Sequence, residues 1–156
     1  MAMIELSLLP APDYDADADA GAESAPAAAI EHTYFVVLVR LNIDGQELLA
    51  FPGVYSDRRP LPALGFASQL LRTVSELGHG ESGTVTLEDG GVLSIARDGD
   101  HLAVASSLAA TRVTVLRSDL LGAARALARV ACDYVLSVSP AMATHASWRD
   151  WCPEVP

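Results

Sequence analysis

The sequence predicts an α+β protein in two layers, a mostly antiparallel sheet of about six to seven strands with two helices on one face. Short segments with strand-type alternation or many β-branched residues are separated by turn residues such as Asp-Gly. Two longer segments repeat apolar residues at helical spacing. The segment order, β-β-β-α-β-β-β-β-α, supplies mostly hairpin connections, which favours an antiparallel sheet over a wound parallel one.

The first third of the chain contains the predicted central strand. Residues 3–9 alternate between apolar and polar side chains, which is the pattern of a half-buried strand. Residues 32–43 carry β-branched and aromatic side chains on both faces, so we expect a central strand covered on both sides. Asp44-Gly45 is a strong hairpin signal, and residues 46–51 should return antiparallel.

Two amphipathic helices flank a predicted meander of four strands. Apolar residues recur at helical spacing over residues 63–77, and Gly78 lies where a left-handed C-terminal cap belongs. Ser118 is a good N-cap for a longer helix that extends to about Val138, before Pro140. The predicted strands of the meander are residues 84–88, 92–97, 101–107 and 112–117.

Two segments lie outside these elements. Residues 10–29 consist almost wholly of Ala, Asp, Pro, Gly, Ser and Glu, and cannot bury enough apolar area to offset chain entropy. We therefore expect an acidic, disordered loop or arm there. Residues 141–156 form a tail that holds both tryptophans. The length of 156 residues fits one domain, residues 1–156.

The charge balance restricts the classes of partner. Twenty acidic residues against ten cationic ones, all arginine, give a net charge of -10. Residues 1–31 carry seven acids and no base, so the other 125 residues carry thirteen acids and ten arginines, or -3. Nucleic acids and anionic membranes both require clustered cations, so we expect neither as a partner. The charge fits a more basic protein partner.

The cysteines and the N-terminus predict a cytoplasmic protein. The first residues contain no basic region followed by an apolar one, so a secretory signal is not expected. No apolar run is long enough to span a bilayer. Cys132 falls in a helical pattern and Cys152 in the tail, without the spacing of a metal or redox motif. This usage favours free thiols in a reducing cytosol over a disulfide.

No residue pattern indicates catalysis, a metal or a cofactor. The alternating aspartates of residues 13–19 lack the glycine and glutamate that a calcium loop needs, so a solvated acidic arm is favoured. No nucleophile lies in a recognisable catalytic motif. His79, between two glycines, is the one histidine that a flexible loop could expose as a base. The other histidines, His32, His101 and His145, are widely spaced.

Aromatic and arginine side chains mark two candidate binding surfaces. The tail segment 148–151, Trp-Arg-Asp-Trp, contains the residue types that anchor protein interfaces. The alternative is that the tail folds back and the tryptophans cover the core. A second patch lies on a proline-bounded loop near residue 55, where solvated loop residues are the alternative. The candidate binding residues are Trp148, Arg149, Trp151, Tyr55, Arg58 and Arg59.

The layout carries a family resemblance over roughly residues 30–152. It combines a hairpin, an amphipathic helix, a meander with Asp-Gly turns, a long helix that opens Ser118-Asp119-Leu120-Leu121, and a tail with tryptophans. This arrangement resembles the small, acidic α+β proteins of GC-rich bacteria, some of which look like immunity proteins of polymorphic-toxin systems. The resemblance implies a cytosolic protein that blocks a toxin by binding it. It implies no site residue.

Three functions therefore remain open. The leading hypothesis is a non-enzymatic protein-binding module, an immunity-type inhibitor of a toxin or other partner. The alternative is a small-molecule-binding protein or enzyme with a pocket between sheet and helices, lined by His79, His101 or Tyr134. The third is a structural subunit of a larger assembly, including a homo-oligomer, which the apolar strand at 34–43 and the mean hydropathy of +0.28 would allow.

Overall fold

A computed structural model describes residues 2–51, 53–109 and 112–153 of the chain. It confirms the α+β class and the antiparallel pairing, but divides the strands into two sheets of four instead of one larger sheet. The strands are β1 (Ile4–Pro10), β2 (Val36–Ile43), β3 (Gln46–Glu47), β4 (Arg59–Pro62), β5 (Ser82–Thr86), β6 (Val92–Asp98), β7 (His101–Ser106) and β8 (Arg112–Leu116). The α-helices are α1 (Ala27–His32), α2 (Ala63–Glu76), α3 (Arg117–Val138) and α4 (Trp148–Trp151).

The first sheet is arranged around β2, as the sequence predicts. β1 pairs with one side of β2, and β3 and β4 pair with the other side, all antiparallel. The predicted turn is confirmed, because Asp44 and Gly45 both adopt a positive φ, 52° and 85°, and Ile43 pairs with Gln46. The returning strand is shorter than the predicted residues 46–51, since β3 covers only Gln46–Glu47. The predicted strand begins later than residue 32, since α1 and the left-handed Phe35 (φ 54°) precede it.

β4 is a strand that sequence reasoning did not predict, because two of its four residues are prolines. Its register explains why they are tolerated. The amide of Ala63 donates to the carbonyl of Phe35, so in this antiparallel pair the backbone groups of Arg59 and Leu61 face β2. Pro60 and Pro62 therefore place their missing N–H on the side that needs no partner.

The second sheet is the predicted meander, β5 to β8 in sequence order. Alternate side chains of each strand are buried, for example Val85, Ile95, Val104 and Val115. Helices α2 and α3 pack against each other, α2 also contacts β4 and β5, and α3 contacts β1 and β8. The helices thereby bring the two sheets onto one hydrophobic core.

The helix ends differ from the predicted caps. α2 ends at an extended Leu77 and not at a left-handed Gly78, and α3 begins after Leu116 without a side-chain cap from Ser118. Two arginines from outside α2 satisfy its last carbonyls instead. Arg97 donates to the carbonyl of Leu77 at 2.7 Å, and Arg117 donates to that of Ser75 at 3.0 Å. Cations are favoured at this negative end of the helix dipole.

The arm at residues 10–29 is ordered, so the prediction of disorder is wrong. It forms two 3₁₀ helices (Ala16–Asp19 and Ala22–Ser24) and then enters α1. The anchor is the buried carboxylate of Asp19, which accepts hydrogen bonds from the Tyr14 hydroxyl at 2.5 Å and the Phe35 amide at 3.0 Å. Burial, with that hydrogen bond to Asp19, raises the Tyr14 pKa well above its ordinary range.

Close packing of α1 against α2 completes the attachment of the arm. A side chain at Gly65 in α2 would overlap the carbonyl oxygen of Glu31, so only glycine permits this approach. Ala22 and Ile30 are fully buried in the core. Composition gives a misleading prediction for the arm, because a few buried contacts with distant residues hold a segment with little apolar area of its own.

The prediction of free thiols is also wrong, because Cys132 in α3 and Cys152 after α4 form a disulfide, with their Cα atoms 6.1 Å apart. The bond fastens the tail to α3. Disulfides persist mainly in oxidising compartments, so the cytoplasmic expectation loses the free thiols on which it partly depended. No helix within residues 2–51, 53–109 and 112–153 combines the length and apolar character needed to cross a membrane.

We predict that Asp19→Ala lowers the free energy of unfolding by about 2–3 kcal/mol, because it leaves the buried Phe35 amide and Tyr14 hydroxyl without their charged acceptor. Urea denaturation measures the change. The control is Asp13→Ala, which removes an exposed carboxylate from the same arm. Equal stability of the two variants would contradict the ordered arm.

We predict that replacing Cys132 and Cys152 together with alanine lowers the free energy of unfolding by about 2–4 kcal/mol, since the bond closes a loop with a sequence separation of 20. Denaturation with and without reductant should show the same loss in the native chain. Thiol titration of the unfolded, non-reduced protein is the check, and two free thiols would refute the bond.

Candidate functional site

The predicted aromatic surface in the tail lies inside the molecule. Trp148 is 3% exposed and Trp151 is 4% exposed, so neither is available to a partner. The indole N–H of Trp151 donates to Glu31 at 3.0 Å, and its ring lies 4.9 Å from that of His145. The tail therefore folds back onto the core, which was the alternative interpretation of these tryptophans. Of the tail candidates only Arg149 is exposed.

Arg59 is likewise buried, at 1% exposure, and is not an interface residue. Its guanidinium forms an ion pair with Asp89 in the turn between β5 and β6 and donates to the carbonyl of Ala50 at 2.8 Å. It also lies 5.0 Å from the centre of the Phe51 ring. Each contact is internal, and the ion pair with Asp89 connects the first sheet to the second.

Arg58 is the candidate residue that the structure places in a surface site. It borders a groove of about 130 Å³ on the outer face of the first sheet. Its guanidinium is 3.0 Å from Asp57. Tyr55 lies in the same loop, between β3 and β4, where it is half-buried and pairs with Phe51 in a short bridge. The groove is lined by Ser7, Leu9, Leu38, Arg40, Asp57 and Arg58.

Arg40 lies at the centre of this outer face. Its guanidinium binds Glu47 through Nη2 at 2.5 Å and Nε at 3.0 Å, and Glu5 through Nη1 at 2.6 Å. The carboxylate of Asp57 is 3.8 Å away. Asn42 donates to the same Glu47 oxygen at 2.7 Å. We call Arg40, Glu5, Glu47, Asp57 and Arg58 the outer-face cluster.

Strand alternation and register bring the cluster together. Along β2 the side chains of Leu38, Arg40 and Asn42 lie on the face opposite to the core residues Val39 and Leu41, although Leu38 is itself buried. The pairing places Ser7 of β1 opposite Arg40, and Glu5 and Glu47 on either side of Asn42. Carboxylates from three separate segments thus meet one guanidinium.

The cluster carries an excess of negative charge. Three carboxylates against two guanidiniums leave one net negative charge, and Glu47 Oε2 is buried without a hydrogen-bond partner. Hydrogen bonding to Glu47 raises the pKa of Arg40, and hydrogen bonding to Arg58 lowers the pKa of Asp57. Both changes favour the charged forms. A fixed set of charges suits recognition of a charged group better than proton transfer, which needs a group that titrates near the working pH.

The residues suggested for a small-molecule pocket do not meet. His101 lines a cavity of about 460 Å³ on the second sheet that neither His79 nor Tyr134 borders. Tyr134 lies in α3 near Asp19, and burial raises its pKa. His79 is exposed in the loop after α2. In the part of the chain that the structure describes, no three His, Cys, Asp or Glu side chains are grouped so that they could hold a metal ion.

Sequence reasoning missed Arg40, although a signal for it exists. It is the one charged residue of β2, on a strand whose two faces are otherwise largely apolar. A charged side chain in such a strand needs an oppositely charged or hydrogen-bonding partner beside it on the same face of the sheet. The identity of those partners depends on the register of β1 and on the loop before β4, which the sequence pattern does not fix.

We predict that the carboxyl of Asp57 titrates below the ordinary aspartate range, because Arg58 and then Arg40 favour its charged form. Its charge, with any contribution to stability, is present above the unfolded-state pKa and is lost as the pH falls through the lower folded-state value. Arg58→Gln should raise the Asp57 pKa more than Arg40→Gln does. Side-chain NMR titration measures both, and the reverse order would contradict the assigned cause.

Comparison of the chain with protein-family models, with curated proteins and with solved structures finds no match.

Proposed function

We propose that the chain is a non-enzymatic protein-binding module that binds a more basic partner protein through the outer face of its first sheet. The single observation that carries the proposal is the outer-face cluster, in which carboxylates outnumber guanidiniums around Arg40 on a solvent-facing sheet surface. Inhibition of a toxin, as the architectural resemblance implies, would be one form of such binding.

The composition of the face supports this proposal. Leu9 is 49% exposed beside the groove, and Val54 is 61% exposed on the neighbouring loop. Apolar side chains next to charged ones supply the two components of a protein interface, desolvated contact and orientation. Glu5 is the most accessible carboxylate of the cluster, with 57% of its side chain exposed.

The ordered arm adds to the attraction of a basic partner. Asp13, Asp15 and Asp17 are exposed on a segment that Asp19 holds in place. Their charges therefore act from fixed positions, in the molecule that carries a net charge of -10. Such a field mainly speeds encounter and excludes wrong partners, while contacts at the groove determine how long the complex lasts.

We predict that Glu5→Arg weakens capture of a basic partner by about tenfold or more, because it reverses the charge at the open side of the cluster. Pull-down from the native host with wild-type and variant protein, at low and high salt, measures the loss. Glu76→Arg is the matched control, since it makes the same charge change on the exposed surface of α2.

The proposal requires a partner that wild-type protein and Glu76→Arg retain, that Glu5→Arg releases, and that high salt weakens. A partner that binds all three proteins equally would overturn the assignment to this face. A rise in melting temperature with a small metabolite, without any protein partner, would favour the small-molecule alternative.

A further inference from the structure

β1 is an edge strand with an open hydrogen-bonding side. The amide of Asp44 donates to the carbonyl of Met3 at 2.9 Å, which identifies Met3 and Asp44 as a hydrogen-bonded pair. Given the register, the odd-numbered residues of β1 point their backbone groups at β2. Ile4, Leu6 and Leu8 therefore point theirs away from the sheet, where no described backbone group pairs with them.

The side chains along this edge divide by face. Ile4, Leu6 and Leu8 lie on the inner face, only partly buried against the core. Two apolar side chains near this edge are among the most exposed of the described residues. Leu9 of β1 is 49% exposed, and Met3, which precedes the strand, is 74% exposed. An apolar strand with an open edge is a template for the addition of another strand.

We propose that a second copy of this chain pairs with β1 through a two-fold axis at Leu6, so that the two first sheets join into one. Ile4 then lies opposite the partner's Leu8, and Leu6 opposite the partner's Leu6. With Leu8 opposite the partner's Ile4, these make three hydrogen-bonded pairs, each with two N–H···O bonds, because the backbone groups of all three residues point away from β2. The inner faces of both copies lie on the same side and extend one apolar row.

Self-complementarity of the outer face selects this register. Glu5 lies opposite the partner's Ser7, and Met3 lies opposite the partner's Leu9, which covers the two exposed apolar side chains. An axis at Glu5 would place two carboxylates opposite each other, which destabilises a strand pair. An axis at Ser7 would bring Pro10, which has no N–H, opposite the partner's Ile4 within the paired strands, whereas the axis at Leu6 leaves it opposite Ala2, before the partner's strand.

The edges of the second sheet are less suited to pairing. On β5 the outward amide of Thr86 already donates to the side chain of Gln69 at 3.0 Å. On β8, the residues whose backbone groups point away from β7 include the charged Arg112. The strand also continues directly into α3 at Arg117. Charges and coverage of this kind hinder strand addition. The inference concerns the edge of the first sheet and does not depend on the partner proposed for its outer face.

The test is a matched pair of substitutions at Ser7, whose side chain is exposed. Within one copy the exposed Ser7→Glu side chain faces Arg40, which already contacts Glu5, Glu47 and Asp57, so we expect only a small change in the stability of the monomer. In the dimer the same carboxylate faces the partner's Glu5 at both symmetric positions, so we expect dimerisation to weaken about tenfold. Ser7→Gln has similar size without the charge and should leave the dimer as it is.

Analytical ultracentrifugation over a concentration series measures the dimer in the three proteins, and urea denaturation verifies that both variants remain folded. Hydrogen exchange adds a local measurement, since the amides of Ile4, Leu6 and Leu8 should be protected in wild-type protein and exchange faster in Ser7→Glu. A wild-type monomer at high micromolar concentration would overturn the proposal. A dimer that Ser7→Glu does not weaken would also overturn it.

Discussion

The buried guanidinium of Arg59 connects the two sheets, and much of the surrounding structure depends on it. It belongs to β4 in the first sheet and forms its ion pair with Asp89 in the second. A charge that is 1% exposed is tolerated only where partners replace its hydration, here Asp89, the carbonyl of Ala50 and the ring of Phe51. Arg59 follows the loop that carries Asp57 and Arg58, and it donates to Ala50, which precedes that loop. The loop is therefore held at both ends. This restraint acts on the two residues that the loop contributes to the outer-face cluster, while strand register positions the other three.

Local patterns predicted the elements that depend on neighbouring residues in the chain. The hairpin at Asp44-Gly45, the meander and both long helices have periodicity or turn chemistry that determines them locally. The division into two sheets was not predictable in this way, because it depends on β4, a strand in which Pro60 and Pro62 disguise the pairing. The disulfide was missed for a related reason, since the contact of Cys132 with Cys152 requires the tail to turn back along α3.

The candidate site also depends on contacts between distant segments, which local sequence patterns do not predict. Sequence composition directed attention to tryptophan and arginine as interface residues, but Trp148, Trp151 and Arg59 are buried. Side-chain type alone does not distinguish an anchor for a partner from an anchor for the chain's own tail. Arg40 was recognisable as an isolated charge on an apolar strand, yet its carboxylate partners come from β1, β3 and a loop. Only the strand register brings those segments together.

The tail and the arm lie far apart in sequence but are adjacent in space. His145 contacts the carbonyl of Ala25 at 2.7 Å, and Trp151 contacts Glu31 at 3.0 Å, each across a sequence separation of 120. During synthesis the arm leaves the ribosome long before its partners in the tail, His145 and Trp151, exist. The acidic segment therefore completes its packing only after α4 has been synthesised. Until then, the arm is attached through Asp19 and through the packing of α1 against α2, so its contacts with the tail are the last to stabilise it.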